Sequence, residues 1–239
     1  MPPSRRYGSV ILDCDSTLSA IEGIDELAHA HREEIARLTE SAMRGEIALE
    51  DVYGQRLDLV RPTRAQVEAL GERYVQMLVT DARETVAALL SEGIEVRVMS
   101  GGIRQAVITL ALAVGLSERA VAAVDVYFDS RGEYTGFDDR SPLARSGGKR
   151  AVLERWLPEL PRPIMLVGDG ATDLEARPPA DVFVAFAGVV ERLAVMEAAD
   201  EVVRTPSLAP ILVLALGGVP PRDPAARELF ELGRSLMHT

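Results

Sequence analysis

SVILDCDSTLSAIEGIDELA, residues 9 to 28, opens on an apolar run that ends in two acids. Val10, Ile11 and Leu12 read as a buried strand, with Asp13 and Asp15 at its C-terminal end. The pattern recurs down the chain. IEVRVMS (94 to 100) leads into Gly101-Gly102, and IMLVGDG (164 to 170) leads into Asp173. VFVAF (182 to 186) is a fourth run and EVV (201 to 203) a weak fifth. Helical periods lie between them. Ala82 to Glu92 carries Val86, Leu89 and Leu90 and stops at Gly93; Arg104 to Val114 carries Val107 and Leu110 and stops at Gly115. Each glycine sits where a left-handed C-terminal cap belongs. Lys149 to Trp156 carries Val152 and Leu153 and ends ahead of Pro158. Strands alternating with helices predict an α/β fold with a parallel sheet. In such sheets the ligand crevice lies outside the carboxyl ends of the strands, where Asp13, Asp15, Ser100, Asp169 and Asp173 all fall.

The interval from Thr17 to Thr80 exceeds what a crossover needs, about a dozen residues. It reads as about four helices, one of them opened by the capping box Thr63-Arg64-Ala65-Gln66 and carrying Val67, Leu70, Tyr74 and Met77 at helical spacing. The excess is expected to be a helical cap (18–80) inserted between core segments 1–17 and 81–239. VDVYFDSRGEYTGFDD (124 to 139) alternates apolar with polar and turns at Ser130-Arg131-Gly132, which predicts a β-hairpin flap. The last stretch, 214–239, reads as a loop and a terminal helix with Leu229, Phe230, Leu232 and Leu236, placed to pack on the core or to make a dimer contact.

Composition narrows the partners. The 239 residues are 47% hydrophobic and 26% charged, as in an ordinary globular domain with an insert, and the formal net charge is -11. An acidic surface repels phosphodiester backbones and anionic lipid, so neither nucleic acid nor membrane is expected as a partner. Cys14 is the single cysteine and cannot form an intrachain disulfide, which fits a reducing compartment, and a cytoplasmic location is expected. The N-terminus does not read as a signal peptide. LAPILVLALGGV, the longest late apolar run, is too short and too interrupted to span a bilayer.

The strand ends carry the chemistry. Of Asp13 and Asp15, one carboxylate can attack as a nucleophile while the other shuttles a proton, although an isolated Asp-x-Asp is more often two solvated acids at a loop start. Asp169 and Asp173 bracket Gly170-Ala171-Thr172, and acids gathered at neighbouring strand ends call for a cation; oxygen ligands in a compact site suit Mg²⁺. Taken alone, that stretch also fits a turn with a helix cap. Ser100-Gly101-Gly102, between a strand and a helix, supplies a hydroxyl and backbone amides for an anion, or merely a flexible helix entry. Lys149 is the only lysine, every other basic residue except histidine being arginine. Together these pieces make a phosphoryl-transfer site. His29, His31 and His238 have no partner pattern, and Cys14 is expected to point into the core.

The stretches DCDSTLSAIEGIDELA (13 to 28), AMRGEIALEDVYGQRLDLV (42 to 60), VMSGGIRQAV (98 to 107), YFDSRGEYTGFDDRSPLARSGGK (127 to 149) and VGDGATDLEARPPADVFVAF (167 to 186) resemble the haloacid dehalogenase-like phosphatases, and within them the phosphoserine phosphatase family. The likeness spans roughly residues 8 to 213. It implies a Rossmann-like core with a helical cap, hydrolysing O-phospho-L-serine in the cytoplasm as a monomer or homodimer. Asp13 would become the aspartyl phosphate, and Asp15 would protonate the leaving oxygen and then activate water. Asp13, the Asp15 backbone carbonyl and Asp169, supported by Asp173, would hold Mg²⁺. Ser100, Gly101, Lys149 and Thr172 would bind phosphate. Glu22 would meet the substrate ammonium, Arg56 its carboxylate, and Gly102 the substrate. Met43 lines the cap or packs in the core. The chain departs from the family at Leu49, which bears on the shape of the substrate pocket, at Thr80-Asp81-Ala82, which touches the hinge and not the chemistry, and at Ala187-Gly188-Val189. Alternatives are the same chemistry on another small phosphate ester, phosphoryl transfer to an alcohol, or a phospho-accepting signalling receiver. A receiver has no use for Asp15 or a cap, and a dehalogenase has none for Asp15 or the metal cluster.

Overall fold

Every residue of β1 (Ser9–Leu12) is buried, and the strand takes partners on both sides. A computed structural model of the chain describes residues 6–28, 33–35, 37–38 and 49–237. The strands that follow are β2 (Glu95–Ile103), β3 (Val121–Val124), β4 (Val126–Phe128), β5 (Tyr134–Phe137), β6 (Ile164–Gly168), β7 (Val182–Phe186) and β8 (Glu201–Val203). Six of them form one parallel sheet in the order β3-β2-β1-β6-β7-β8. Side chains alternate along each strand, and here both faces are covered. Val10 and Leu12 enter one buried cluster with Val96, Val98 and Val167, while Ile11 joins Met99, Leu166 and Phe183 in the other. The β4–β5 pair is antiparallel and separate from the main sheet, turning at Gly132 with φ 84°.

The named helices are α1 (Gly23–Leu27), α2 (Leu49–Val60), α3 (Arg64–Gln76), α4 (Ala82–Ser91), α5 (Arg104–Ala113), α6 (Gly148–Trp156), α7 (Ala171–Leu174), α8 (Leu193–Ala198), α9 (Ala209–Ala215) and α10 (Pro224–Leu236). The first three belong to the helical cap. The expected capping box is formed: Gln66 N–H donates to Thr63 Oγ1 at 3.3 Å, and Thr63 N–H donates to Gln66 Oε1 at 2.8 Å. Gly93 and Gly115 take φ of 75° and 88° as helix-ending residues.

α3 is seated on the core. Val67, Leu70 and Tyr74 share one buried cluster with Val107, Leu110 and Ala111 of α5. The two helices approach so closely that a Cβ on Gly71 would lie 2.7 Å from Thr109 Oγ1. The hairpin meets the cap from the other side, with the Tyr53 and Phe137 rings edge-to-face at 5.4 Å. Arg61 stacks over Tyr134 at 5.5 Å and Arg64 over Phe128 at 4.9 Å.

Two expectations need correction. β3 went unpredicted: its Val-Ala-Ala-Val has little apolar bulk and runs almost directly into the hairpin strand. Ser100-Gly101-Gly102 is not a connection between strand and helix, because β2 continues through it to Ile103. The strand passes closest to its neighbours at Gly102, where a Cβ would lie 3.1 Å from Ser100 Oγ and 3.2 Å from Asp15 Oδ2, whereas one on Gly101 would meet the Leu143 carbonyl at an ordinary 3.5 Å.

The terminal helix packs on the core, against α9 and α4. Phe230 is fully buried, and a Cβ on Gly233 would meet the Ala209 carbonyl at 2.3 Å. No helix among the described residues is long and apolar enough to cross a membrane. Phe230→Ala is expected to destabilise the protein by about 3–5 kcal/mol while leaving activity at low temperature intact; chemical unfolding and a rate assay check this.

Candidate active site

Leu12 of β1 is level with Val98 of β2 and Val167 of β6. The residues just past these positions therefore stand side by side. The chain builds outward from β1 in one direction through β2 and β3, and in the other through β6, β7 and β8. The reversal at β1 and β6 opens a crevice at the carboxyl ends.

Lys149 lies in that crevice, in the first turn of α6. Its Nζ is 2.7 Å from Asp13 Oδ2 and 2.6 Å from Asp173 Oδ1, and the side chain is only 6% exposed. Glycines make this approach possible. A Cβ on Gly148 would lie 1.9 Å from the Pro142 carbonyl, so only glycine lets α6 seat there. A Cβ on Gly168 would lie 2.2 Å from Asp173 Cγ, so only glycine lets Asp173 fold back over the end of β6. The Gly170 N–H donates to Asp173 Oδ2 at 3.1 Å. Burial alone would lower the lysine's pKa, but Asp13 and then Asp173 outweigh it, so the ammonium is held well above the ordinary lysine value. Asp173 is pushed up by burial and by Asp13, with Lys149 opposing.

Asp15 has different company. Its Oδ1 accepts from the Tyr74 hydroxyl at 2.6 Å and from the Gly23 N–H at 2.8 Å. Burial, then Glu22 and Asp13, push the carboxyl up to about 7 against these two hydrogen bonds. Asp169 is raised to about 6 by burial and Asp13, and is held back by Arg192, whose Nε donates to Asp169 Oδ2 at 2.9 Å. Arg192 also reaches Glu22 Oε1 at 3.5 Å, where the Ser16 hydroxyl donates at 2.7 Å. Ser100 is fully buried, and its Oγ accepts from the Gly102 N–H at 2.9 Å.

Carboxylate oxygens of Asp13, Asp169 and Asp173 all lie within 4.8 Å of one another. Buried oxygen donors, without nitrogen or sulfur, fit a hard divalent cation. The Asp15 carboxylate stands outside that cluster, turned towards Tyr74 and Gly23.

The structure thus gathers Asp13, Asp15, Glu22, Ser100, Gly102, Lys149, Asp169 and Asp173 around one crevice. Gly101 lies beside Ser100 near the Leu143 carbonyl, and Thr172 is half-buried in α7. Arg56, on α2, pairs with Asp25 of α1. Its Nε and the buried Tyr53 hydroxyl have no partner among the described residues. Met43, like His29, His31 and His238, lies outside the described residues. Cys14 is buried in the core, as expected. Sequence reasoning missed Tyr74 and Arg192. Tyr74 fits the apolar stripe of α3, so its hydroxyl gave no signal; Arg192 precedes a short helix and belongs to no motif.

The fold and this carboxylate cluster define a hydrolase of the haloacid dehalogenase-like class, and the family model of the haloacid dehalogenase-like hydrolases matches residues 7–181. Mouse phosphoserine phosphatase is 40% identical over 188 residues, covering 77% of this chain and 83% of the relative. The chain belongs to the phosphoserine phosphatase family. A substrate-bound phosphoserine phosphatase structure is 26% identical with a TM-score of 0.71, covering 87% of this chain and 98% of its own. A phospho-aspartyl intermediate analogue of phosphoserine phosphatase matches at 26% identity and a TM-score of 0.69 over the same shares, 87% and 98%.

The raised carboxyls set a pH dependence. Asp169 and Asp15 have folded values of about 6 and about 7 against an ordinary 3.8. The folded state therefore binds more protons than the unfolded one between those values. The stability present at low pH is lost as pH rises through about 6 to 7 in the metal-free protein. A divalent cation favours the ionised forms. Stabilisation by a divalent cation, tried with Mg²⁺, is expected to raise Tm more at pH 8 than at pH 5, as thermal unfolding with and without the ion at both pH values would report.

Proposed function

We propose that this protein is a Mg²⁺-dependent phosphatase that releases L-serine and phosphate from O-phospho-L-serine. One observation carries the reading: Asp13 is bound to a buried ammonium beside two further carboxylates, while Asp15, next to it, is held by neutral donors. Two neighbouring acids in different surroundings suit different roles. Family membership supports the substrate.

In this reading an Asp13 oxygen attacks phosphorus as the bond to the seryl oxygen breaks, and Asp15 gives that oxygen its proton. The Asp15 carboxylate then takes a proton from the water that attacks the aspartyl phosphate, and Asp13 is released. Lys149, the Ser100 hydroxyl and the Gly101 amide bind phosphoryl oxygens, with Thr172 beside them. A Mg²⁺ ion held by Asp13, Asp169, the Asp15 backbone carbonyl and the supporting Asp173 would offset charge on the phosphoryl group. Glu22 binds the substrate ammonium. Arg56, with its unpaired Nε, binds the carboxylate in exchange for Asp25. Residues 18–80 serve as the cap over the crevice, which carries Glu22 and Arg56 to the substrate.

Release of inorganic phosphate from a panel of phosphorylated amino acids and sugars tests the substrate. Phosphoserine is expected to lead, and a flat panel or a preferred sugar phosphate would overturn it. Asp13→Asn is expected to abolish turnover with the fold retained by circular dichroism; wild-type rates in that variant would remove Asp13 as nucleophile. Arg56→Ala is expected to raise KM for phosphoserine by about tenfold or more, with little change for an uncharged aryl phosphate. Equal effects would unseat its carboxylate role.

A further inference from the structure

Asp15 must serve twice, as the acid of one half-reaction and the base of the other, from the same position. A carboxyl on a single rotatable bond has two oxygens that exchange by rotation, so something must fix which one faces the substrate. Resting on the phosphatase reading above, we propose that Tyr74 is the positioning residue. Its hydroxyl and the Gly23 amide keep Oδ1 of Asp15 as an acceptor, and Oδ2 is the oxygen that gives and takes the proton.

The geometry is specific. Oδ1 receives both donors, at 2.6 and 2.8 Å, and two donors fill the two lone pairs of a carboxyl oxygen. A proton on Asp15 is thereby left to Oδ2. That oxygen faces the phosphate cradle: the Cβ that Gly102 lacks would lie 3.1 Å from Ser100 Oγ and 3.2 Å from Asp15 Oδ2. The same point is 3.3 Å from the Tyr74 hydroxyl, so Asp15, Ser100 and Tyr74 converge on a space that a side chain at position 102 would crowd. A Cβ on Gly23 would lie 1.9 Å from the Tyr74 hydroxyl, so the bare Gly23 backbone is what lets both donors reach one oxygen.

Both hydrogen bonds persist whether Oδ2 is protonated or not, because Oδ1 accepts in either state. The carboxyl therefore need not rotate between half-reactions. In the first, the Oδ2–H bond breaks and its proton passes to the seryl oxygen as the phosphorus–oxygen bond breaks and the Asp13–phosphorus bond forms. In the second, Oδ2 takes a proton from water as the water oxygen bonds to phosphorus and the Asp13–phosphorus bond breaks. Tyr74 is fully buried on α3, the helix seated on α5, so the anchor is tied to the core.

The test compares two esters. An alkyl leaving group such as serine needs Asp15's proton, whereas p-nitrophenolate leaves without it, and kcat/KM reports only steps through formation of the aspartyl phosphate. Tyr74→Phe keeps the ring and removes the hydroxyl. It is expected to lower kcat/KM for phosphoserine by about tenfold or more, mostly in kcat, and that for p-nitrophenyl phosphate by less than about threefold. Equal losses on both esters, or none on either, would overturn the proposal. Should the Phe variant unfold, p-aminophenylalanine at position 74 supplies a donor in the same place and is expected to keep the wild-type ratio between the esters; loss of that ratio with the donor retained also refutes the role. Wild-type protein inactive on phosphoserine but active on another alkyl phosphate would overturn the substrate alone, and the ratio is then read on that ester. Inactivity on every alkyl phosphate overturns both.

Discussion

One ammonium between two carboxylates holds the crevice together. Asp13 follows β1 and Asp173 follows β6, both almost fully withdrawn from water, with Asp169 beside them. Like charges this close repel strongly where water is scarce. Lys149 offsets that repulsion by reaching both acids at once. A compact, three-donor ammonium on a thin stem fits between two carboxylates that a planar guanidinium would force apart. This accounts for the one lysine in a chain that otherwise uses arginine for its permanent positive charges. The glycines at 148 and 168 follow from the same demand, since any side chain there would displace one of the partners.

The two acids of Asp-Cys-Asp end in different electrostatic settings because the chain turns sharply between strand and cap. Ser16 adopts a positive φ of 51°, and the turn sends Asp15 towards Tyr74 and Gly23 while Asp13 stays with Lys149. Asp15 thus meets two neutral donors, whereas Asp13 meets a buried ammonium. The cap takes part in this division: α3 is joined to the core through Leu70, Gly71 and Tyr74, whereas α2 meets the hairpin through aromatic contacts. α2 and the β4–β5 flap thus pack against one another, while α3 is anchored on α5 of the core.

Much of this was legible in the chain. Apolar runs ending in acids or glycines gave the parallel sheet and the place of the crevice, since strand burial and strand-end chemistry are both local patterns. The 63–66 capping box, Gly93, Gly115 and the Gly132 turn were legible for the same reason. β3 was not, because two alanines in four residues carry little hydrophobic signal and the strand is defined by its pairing with β2. The continuation of β2 through Ser100-Gly101-Gly102 was also hidden, since glycines read as a break unless the neighbours that require them are known.

The sequence by itself determined which residues could do chemistry at the strand ends, because Asp, Ser, Gly and Lys sit there in a fixed order and spacing. Only the tertiary structure decided their partners. Tyr74 lies 59 positions from Asp15, and Lys149 lies 24 from Asp173. Arg192 contacts Glu22 from 170 positions away. Such pairs leave no periodicity or motif along the chain. Tyr74 reads as one more apolar residue on a helix face until the fold puts its hydroxyl against a carboxylate. Periodicity reports burial, whereas the direction of a hydrogen bond is fixed only when distant segments are packed together.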